Sequence, residues 1–96
     1  MADDEIIEYP IDGVLDLHGF HPRDVKDLVP EYLRECRGRG ILEVRIVHGK
    51  GTGVLRETVH AILGRLPEVA SFRLAQGGSS WGATLVDLRP ASPDTP

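Results

Sequence analysis

The sequence predicts an α/β fold in which strands and helices alternate in the order β-α-β-α-β-β. Four short segments rich in β-branched and aliphatic residues have the length of strands, and two longer segments repeat apolar residues with helical spacing. A glycine-rich loop joins the second strand to the second helix. Ninety-six residues, 41% of them hydrophobic, are enough for one small domain with a single core.

The first strand and the first helix are predicted in the first forty residues. Residues 14–19 suit a buried strand, and Pro22 suits the first position of a helix. Pro30 is predicted to bend this helix without breaking it, because it lies opposite the apolar stripe, and Gly38 and Gly40 are predicted to end it. The stripe consists of Val25, Leu28, Val29, Tyr32, Leu33 and Cys36.

The second half repeats this alternation and closes with two strands. Residues 44–47 suit a buried strand, and the helix that follows the loop is ended by Pro67, with His60 expected on its solvated side. Its apolar positions are Leu55, Val59, Ile62, Leu63 and Leu66. Strands are predicted at residues 69–75 and 83–88. Helical crossovers predict parallel, right-handed pairing of the first strands, whereas the short last loop predicts an antiparallel pair.

The two ends of the chain differ in composition from its body. Residues 1–12 are predicted to be an acidic, partly ordered tail, residues 13–89 a domain, and residues 90–96 a disordered, proline-rich tail. Five of the fifteen acids lie in residues 1–10 and 90–96, so the ten others nearly balance the eleven Lys and Arg of residues 11–89, although the whole chain has a net charge of −4. This balance argues against a broad basic surface but allows a local basic site.

Cysteine and hydropathy patterns restrict the compartment. The single Cys36 excludes a disulfide framework, and no signal or membrane segment is visible. We therefore expect a monomeric cytoplasmic protein that does not associate with a membrane.

The loop after the second strand is the first candidate site. Glycines allow positive φ and close approach of the backbone, and the following helix start contributes free N–H groups and its dipole, so such a loop can bind an anion. Its spacing matches neither a Walker loop nor a dinucleotide fingerprint. The alternative is a glycine-rich turn with a surface lysine. The loop consists of His48, Gly49, Lys50, Gly51, Thr52 and Gly53.

A carboxylate and an imidazole near the end of the first strand form the second candidate site. Asp16 and His18 project from the same face by the two-residue period of a strand, and a carboxylate can orient a ring for acid/base chemistry. Since parallel strands end at one edge of a sheet, His18 and His48 are expected to meet there. The alternative is that Asp16 caps the local backbone and His18 is a strand-end histidine.

Three motifs together resemble the Smr (small MutS-related) domain family. They read LDLHG at residues 15–19, HGKGTG at residues 48–53 and GATLVDL at residues 82–88, and with the helices between them they span about residues 13–89. The resemblance implies a two-layer α/β sandwich, with a four-stranded mixed sheet and two helices, similar to the C-terminal domain of a bacterial translation initiation factor. It also implies nucleic-acid binding and, in many members, endonuclease activity.

The resemblance assigns roles to individual positions of this chain. Asp16 and His18 match the motif that is linked to cleavage, and the loop that begins at His48 matches the motif linked to substrate binding. No ATPase or clamp domain precedes the motifs, so we expect a stand-alone member that is targeted by its short ends or by a partner.

The loop before the closing strand contains the only tryptophan. Ser79, Ser80 and Trp81 stand where the family usually has more glycine and acidic residues, which leaves substrate preference open. Trp81 either stacks on an unpaired base, a contact worth ~1–3 kcal/mol, or fills the end of the core.

Two classes of function fit these residues. In the first, a small endonuclease, Asp16 orients His18, and His18 or His48 moves a proton, while Lys50 and the helix-start amides stabilise charge on the phosphate. The second is a noncatalytic module for structured DNA or RNA, or for the ribosome, which the lack of a broad basic stripe favours. An unrelated phosphate-ligand role is a third alternative.

The carboxylates bear on the choice of substrate. DNA hydrolysis usually requires a divalent ion held by two or more carboxylates, whereas Glu43 and Asp87 are expected away from Asp16. General acid/base cleavage of RNA, whose own 2′-hydroxyl attacks the phosphate, needs no such ligands. We therefore expect RNA cleavage without a cofactor, with metal-dependent DNA nicking as the alternative.

Overall fold

The computed structural model describes residues 11–49, 53–75 and 82–90. The element order is the predicted one, β-α-β-α-β-β, and the boundaries differ from prediction by a few residues at most. Most of both predicted tails lies outside the described residues. The elements are β1 (Val14–Asp16), α1 (Pro22–Gly38), β2 (Glu43–Val47), α2 (Val54–Leu63), β3 (Val69–Leu74) and β4 (Ala83–Leu88).

The four strands form one mixed sheet in the order β1-β2-β4-β3. β1 runs parallel to β2, and β4 runs antiparallel to both of its neighbours, which confirms the predicted parallel and antiparallel pairs. The insertion of β4 between β2 and β3 was not predicted. It places Ala83, at the start of β4, opposite Val47, at the end of β2.

Alternate residues of the strands separate a buried face of the sheet from an exposed one. Leu15, Ile46 and Val86 are at most 1% exposed and belong to the core shared with α1 and α2. Val14, next to Leu15, is 48% exposed, and Arg73 of β3 is exposed on the same face. The two helices therefore cover one face only, which confirms the two-layer α/β sandwich.

Helix α1 has the predicted limits. It begins at Pro22 and continues through Pro30. At its end the N–H of Ile41 donates to the carbonyl of Cys36 (2.8 Å), and Gly40 has φ +80°, the left-handed geometry of a Schellman ending. Within the described part of the chain, no helix is both long and apolar enough to span a membrane.

The hydroxyl of Tyr32 attaches the start of β1 to α1. The N–H of Gly13 donates to this oxygen (3.1 Å), and the hydroxyl donates to the carbonyl of Val14 (3.1 Å). Tyr32 is 3% exposed, and this burial raises the pKa of its phenol. The strand that ends at Asp16 is thus fixed to the helix layer by a buried polar contact.

Candidate functional site

One edge of the sheet collects the ends of β1 and β2 and the start of β4. The N–H of Leu17 donates to the carbonyl of Val47 (2.8 Å), which extends the parallel pairing beyond β1. The N–H groups of His48 and Gly49 both donate to the carbonyl of Gly82 (2.9 and 2.8 Å). The chain leaves β1 and β2 at this edge and enters α1 and α2 directly afterwards, so both helices begin here. The segments after β1 and β2 therefore meet as predicted.

Asp16 and His18 lie at this edge, but their side chains do not form the predicted pair. The backbone N–H of His18 donates to Oδ1 of Asp16 (2.9 Å), and both residues are exposed. No hydrogen bond between described residues joins the Asp16 carboxylate to the His18 ring. The Asp16 carboxylate thus caps the local backbone, as in the alternative, and the orientation of the imidazole by Asp16 stays a prediction. The catalytic roles of both residues remain predictions.

His48 lies on the other face of the sheet, under the helices. It is 6% exposed, its Nδ1 lies 3.0 Å from the carbonyl oxygen of Gly49, and its Nε2 lies 2.9 Å from Oγ1 of Thr84. Both ring nitrogens are thus engaged inside the protein. This arrangement fixes the base of the glycine loop, and of the two candidate histidines it leaves His18 as the exposed one.

His60 of α2 is part of the same cluster, contrary to the expectation that it is solvated. Its Nε2 lies 2.8 Å from Oγ1 of Thr84, and its ring packs on Phe72 with centroids 5.0 Å apart. Burial lowers the pKa of His60, and the neighbouring His48 and Arg56 lower it further. Its position was a usable signal, because it lies three residues before a core leucine and so borders the apolar stripe of the helix.

The first turn of α2 contains Arg56 and the acidic Glu57. Gly53 is the N-cap, with φ +91° and ψ −2°, and as a glycine it has no side chain to cap the helix. A Cβ on Gly53 would lie 2.9 Å from Nη2 of Arg56, so this guanidinium folds back over the helix start. Arg56 forms no ion pair or hydrogen bond with another described residue. Arg56 was not among the predicted site residues, and its charge lies at the helix end where the dipole already favours an anion.

The other predicted phosphate-binding residues are described only in part. Gly49 and Gly53 have positive φ, as expected for a loop that needs glycine, with φ +80° at Gly49. The remaining predicted residues, namely Lys50, Gly51, Thr52 and Trp81, lie outside the described residues.

Two other acidic residues of the sheet, Glu43 and Asp87, lie at the opposite edge. Glu43 pairs with Asp87 across β2 and β4, at the end of the sheet away from His48. The Asp87 carboxylate accepts hydrogen bonds from Ser71 (3.1 Å) and Arg73 (3.4 Å). In residues 11–49, 53–75 and 82–90, no three His, Cys, Asp or Glu side chains cluster as they would around a metal ion.

The chain matches the model of the Smr domain family over residues 15–89. It is 40% identical over 85 residues to Endonuclease MutS2 of Caldicellulosiruptor bescii, covering 88% of this chain and 11% of that protein. It is 35% identical over 80 residues to Endonuclease MutS2 of Clostridium tetani, covering 82% of this chain and 10% of the relative. The chain thus spans about a tenth of the length of these curated relatives.

Two solved structures have the same fold. The Smr domain of Thermus thermophilus MutS2 has a TM-score of 0.77 and 38% identity, over 80% of this chain and 98% of that one. YdaL, a stand-alone small MutS-related protein from Escherichia coli, has a TM-score of 0.73 and 27% identity, over 85% of this chain and 68% of that one.

Proposed function

Because this chain belongs to the Smr domain family, we propose that it binds nucleic acid at the sheet edge described above and cleaves RNA there by general acid/base chemistry. The observation that carries the proposal is the guanidinium of Arg56, which lies over the glycine N-cap of α2 at the same edge as the exposed His18. The name endonuclease, borne by much longer relatives, supports this class of activity.

The binding step rests on the charge at the start of α2. The positive end of the helix dipole favours an anion, and phosphate is the repeated anion of nucleic acid. Arg56 adds a full charge beside Gly53, and Lys50 is proposed to add another. Few cations are needed for weak binding of a short single strand, so the nearly balanced charge of residues 11–89 is compatible with it.

The cleavage step is assigned to His18. Attack of the RNA 2′-oxygen forms a new bond to phosphorus and breaks the bond to the 5′-oxygen, which leaves a 2′,3′-cyclic phosphate. The proton of the 2′-hydroxyl goes to a base, and the leaving 5′-oxygen takes a proton from an acid. The exposed ring of His18 suits one of these transfers, whereas His48 holds the loop. Asp16 positions His18 by accepting its backbone N–H.

A pair of oligoribonucleotides that differ by one 2′-deoxy substitution at the cleaved position tests the proposal, each with and without EDTA. We expect cleavage of the all-ribose strand alone, in both conditions. His18→Ala should abolish it, whereas His21→Ala, at an exposed N-cap whose side chain caps nothing, should not. Cleavage of the deoxy strand that stops in EDTA would overturn the mechanism in favour of metal-dependent DNA nicking. Equal rates for wild type and His18→Ala would reveal a contaminating nuclease.

A noncatalytic binding module is the second candidate. The Asp16 carboxylate accepts the backbone N–H of His18 and makes no hydrogen bond to its ring. The ring therefore has no orienting partner among the described residues, which favours binding without catalysis. Loss of binding in Lys50→Ala, with no cleavage by any purified variant, would establish this alternative.

A further inference from the structure

The hydroxyl of Thr84 lies between two histidine rings. Its Oγ1 is 2.9 Å from Nε2 of His48 and 2.8 Å from Nε2 of His60, and Thr84 is completely buried. On the far side of His48, Nδ1 is 3.0 Å from the carbonyl oxygen of Gly49. A continuous chain of hydrogen bonds therefore links Gly49 and His48 of the glycine loop to Thr84 of β4 and then to His60 of α2.

The donors in this chain can be assigned from its chemistry. A carbonyl oxygen only accepts, so Nδ1 of His48 carries a proton. If both rings are neutral, Nε2 of His48 must accept the single hydroxyl proton of Thr84. The Thr84 oxygen then accepts the N–H at Nε2 of His60. Only one arrangement of protons satisfies all three contacts with uncharged rings.

The groups around His60 favour the neutral ring that this arrangement requires. His48, directly after β2, and Thr84 of β4 face it, Phe72 of β3 covers it, and Arg56 lies near it on its own helix. Arg56 is the charged member of this set, and it disfavours a second positive charge. Partial burial of His60 lowers its pKa in the same direction.

We propose that Thr84 and His60 are positioning residues that hold His48 as its Nδ1–H tautomer and thereby fix the base of the glycine loop for phosphate binding. The ring holds the Gly49 carbonyl, and the carbonyl of Gly82 accepts the N–H of Gly49 (2.8 Å), so both backbone polar groups of the first loop glycine are fixed. This inference rests on the proposed function, because it assumes that phosphate binds at the loop.

Nitrogen-15 NMR of the histidine rings tests the assignment without an activity measurement. In the wild-type protein at neutral pH, we expect a proton on Nδ1 alone in His48 and on Nε2 alone in His60. Thr84→Ser keeps the hydroxyl and should keep both tautomers. Thr84→Val keeps the shape but removes the hydroxyl, so His48 should become a mixture of tautomers. An Nε2–H tautomer of His48 in the wild type would overturn the proposal.

Binding of a labelled, uncleavable oligodeoxynucleotide tests the consequence. Thr84→Val should weaken binding by about fivefold, the factor that corresponds to one neutral hydrogen bond, while Thr84→Ser stays close to the wild type. His60→Phe preserves the packing on Phe72 but cannot donate, and it should weaken binding even if Thr84→Val fails to fold. Unchanged affinity in the folded variants overturns the inference.

Lys50→Ala, measured in parallel, separates this inference from the proposed function. Loss of binding in Lys50→Ala, with unchanged affinity in Thr84→Val and His60→Phe, means that the loop binds phosphate but the hydrogen-bond chain does not position it. Absence of binding by the wild type overturns both.

Discussion

Replacing Arg56 with Gln removes the charge that lies over the start of α2. Arg65 offers a matched control, because Arg65→Gln makes the same change near the opposite end of the same helix. Nine residues separate the two, which is about 13 Å along a helix axis. That distance exceeds the Debye length of about 8 Å at physiological ionic strength, so the two charges act nearly independently on a bound phosphate.

The expected effect of Arg56→Gln follows from counterion release. Loss of one phosphate contact lowers the salt dependence of single-strand binding, the slope of log K against log salt concentration, by about 0.7. Affinity itself should fall about fivefold, corresponding to about 1 kcal/mol for one lost hydrogen bond. Stability should not fall, since a cation in the first turn of a helix is unfavourable by a few tenths of a kcal/mol.

Fluorescence anisotropy with a labelled, uncleavable single strand, between about 50 and 200 mM salt, measures this slope. Urea unfolding of the same samples shows whether the variants remain folded. Arg56→Gln should have a lower slope than the wild type, and Arg65→Gln should retain the wild-type slope. An equal decrease of the slope in both variants, or no decrease in Arg56→Gln, would refute a phosphate contact of Arg56.

Three further predictions concern glycine geometry, a buried hydroxyl and pH. Gly49 and Gly40 both have φ +80°, and no heavy atom of the described residues, apart from those next to each glycine in the chain, lies within 4 Å of the position that an alanine methyl group would take. Alanine at either position should cost about 1–2 kcal/mol in urea unfolding. Only Gly49→Ala should also weaken oligonucleotide binding, and equal affinities of the two variants would contradict the site. Tyr32→Phe leaves the N–H of Gly13 without its partner and should cost about 1–3 kcal/mol, a prediction that an unchanged unfolding midpoint would disprove. The pKa of His60 is lowered from 6.5 in the folded protein, so just below pH 6.5 the unfolded chain binds more protons at this residue than the folded one. The free energy of unfolding should therefore rise with pH in this range, by at most about 1.4 kcal/mol per pH unit. His60→Phe should flatten this rise.

The sequence patterns predicted the features that depend on residues close together along the chain. Helical and strand periods located the elements, and the parallel pairing of β1 and β2 placed the segments after both strands at one edge. The position of β4 was not predictable in this way, because pairing between strands far apart in sequence leaves no local signal. The contact of His60 with Thr84 joins residues 24 apart and depends on that pairing.

The hydrogen-bond partners of individual side chains were also not predictable from the sequence. The period of a strand predicts the face from which Asp16 projects, but not whether its carboxylate bonds a ring or the backbone. The N–H of His18 is the nearer and less flexible partner, since it is only two residues away. The position of the Arg56 guanidinium was not predictable for the same reason, because this long side chain reaches the helix start only in certain rotamers.

The central position of β4 affects how this domain forms during translation. β3 pairs with β4 alone in the described sheet, and β2 lacks its partner on that side until β4 is made. Ribosomes add roughly 5–20 residues per second, so for a few seconds the nascent chain exposes the edges of β2 and β3. Such edges are templates for pairing with other chains. The edge with the candidate site is completed last, because Gly82, which accepts the N–H groups of His48 and Gly49, immediately precedes β4.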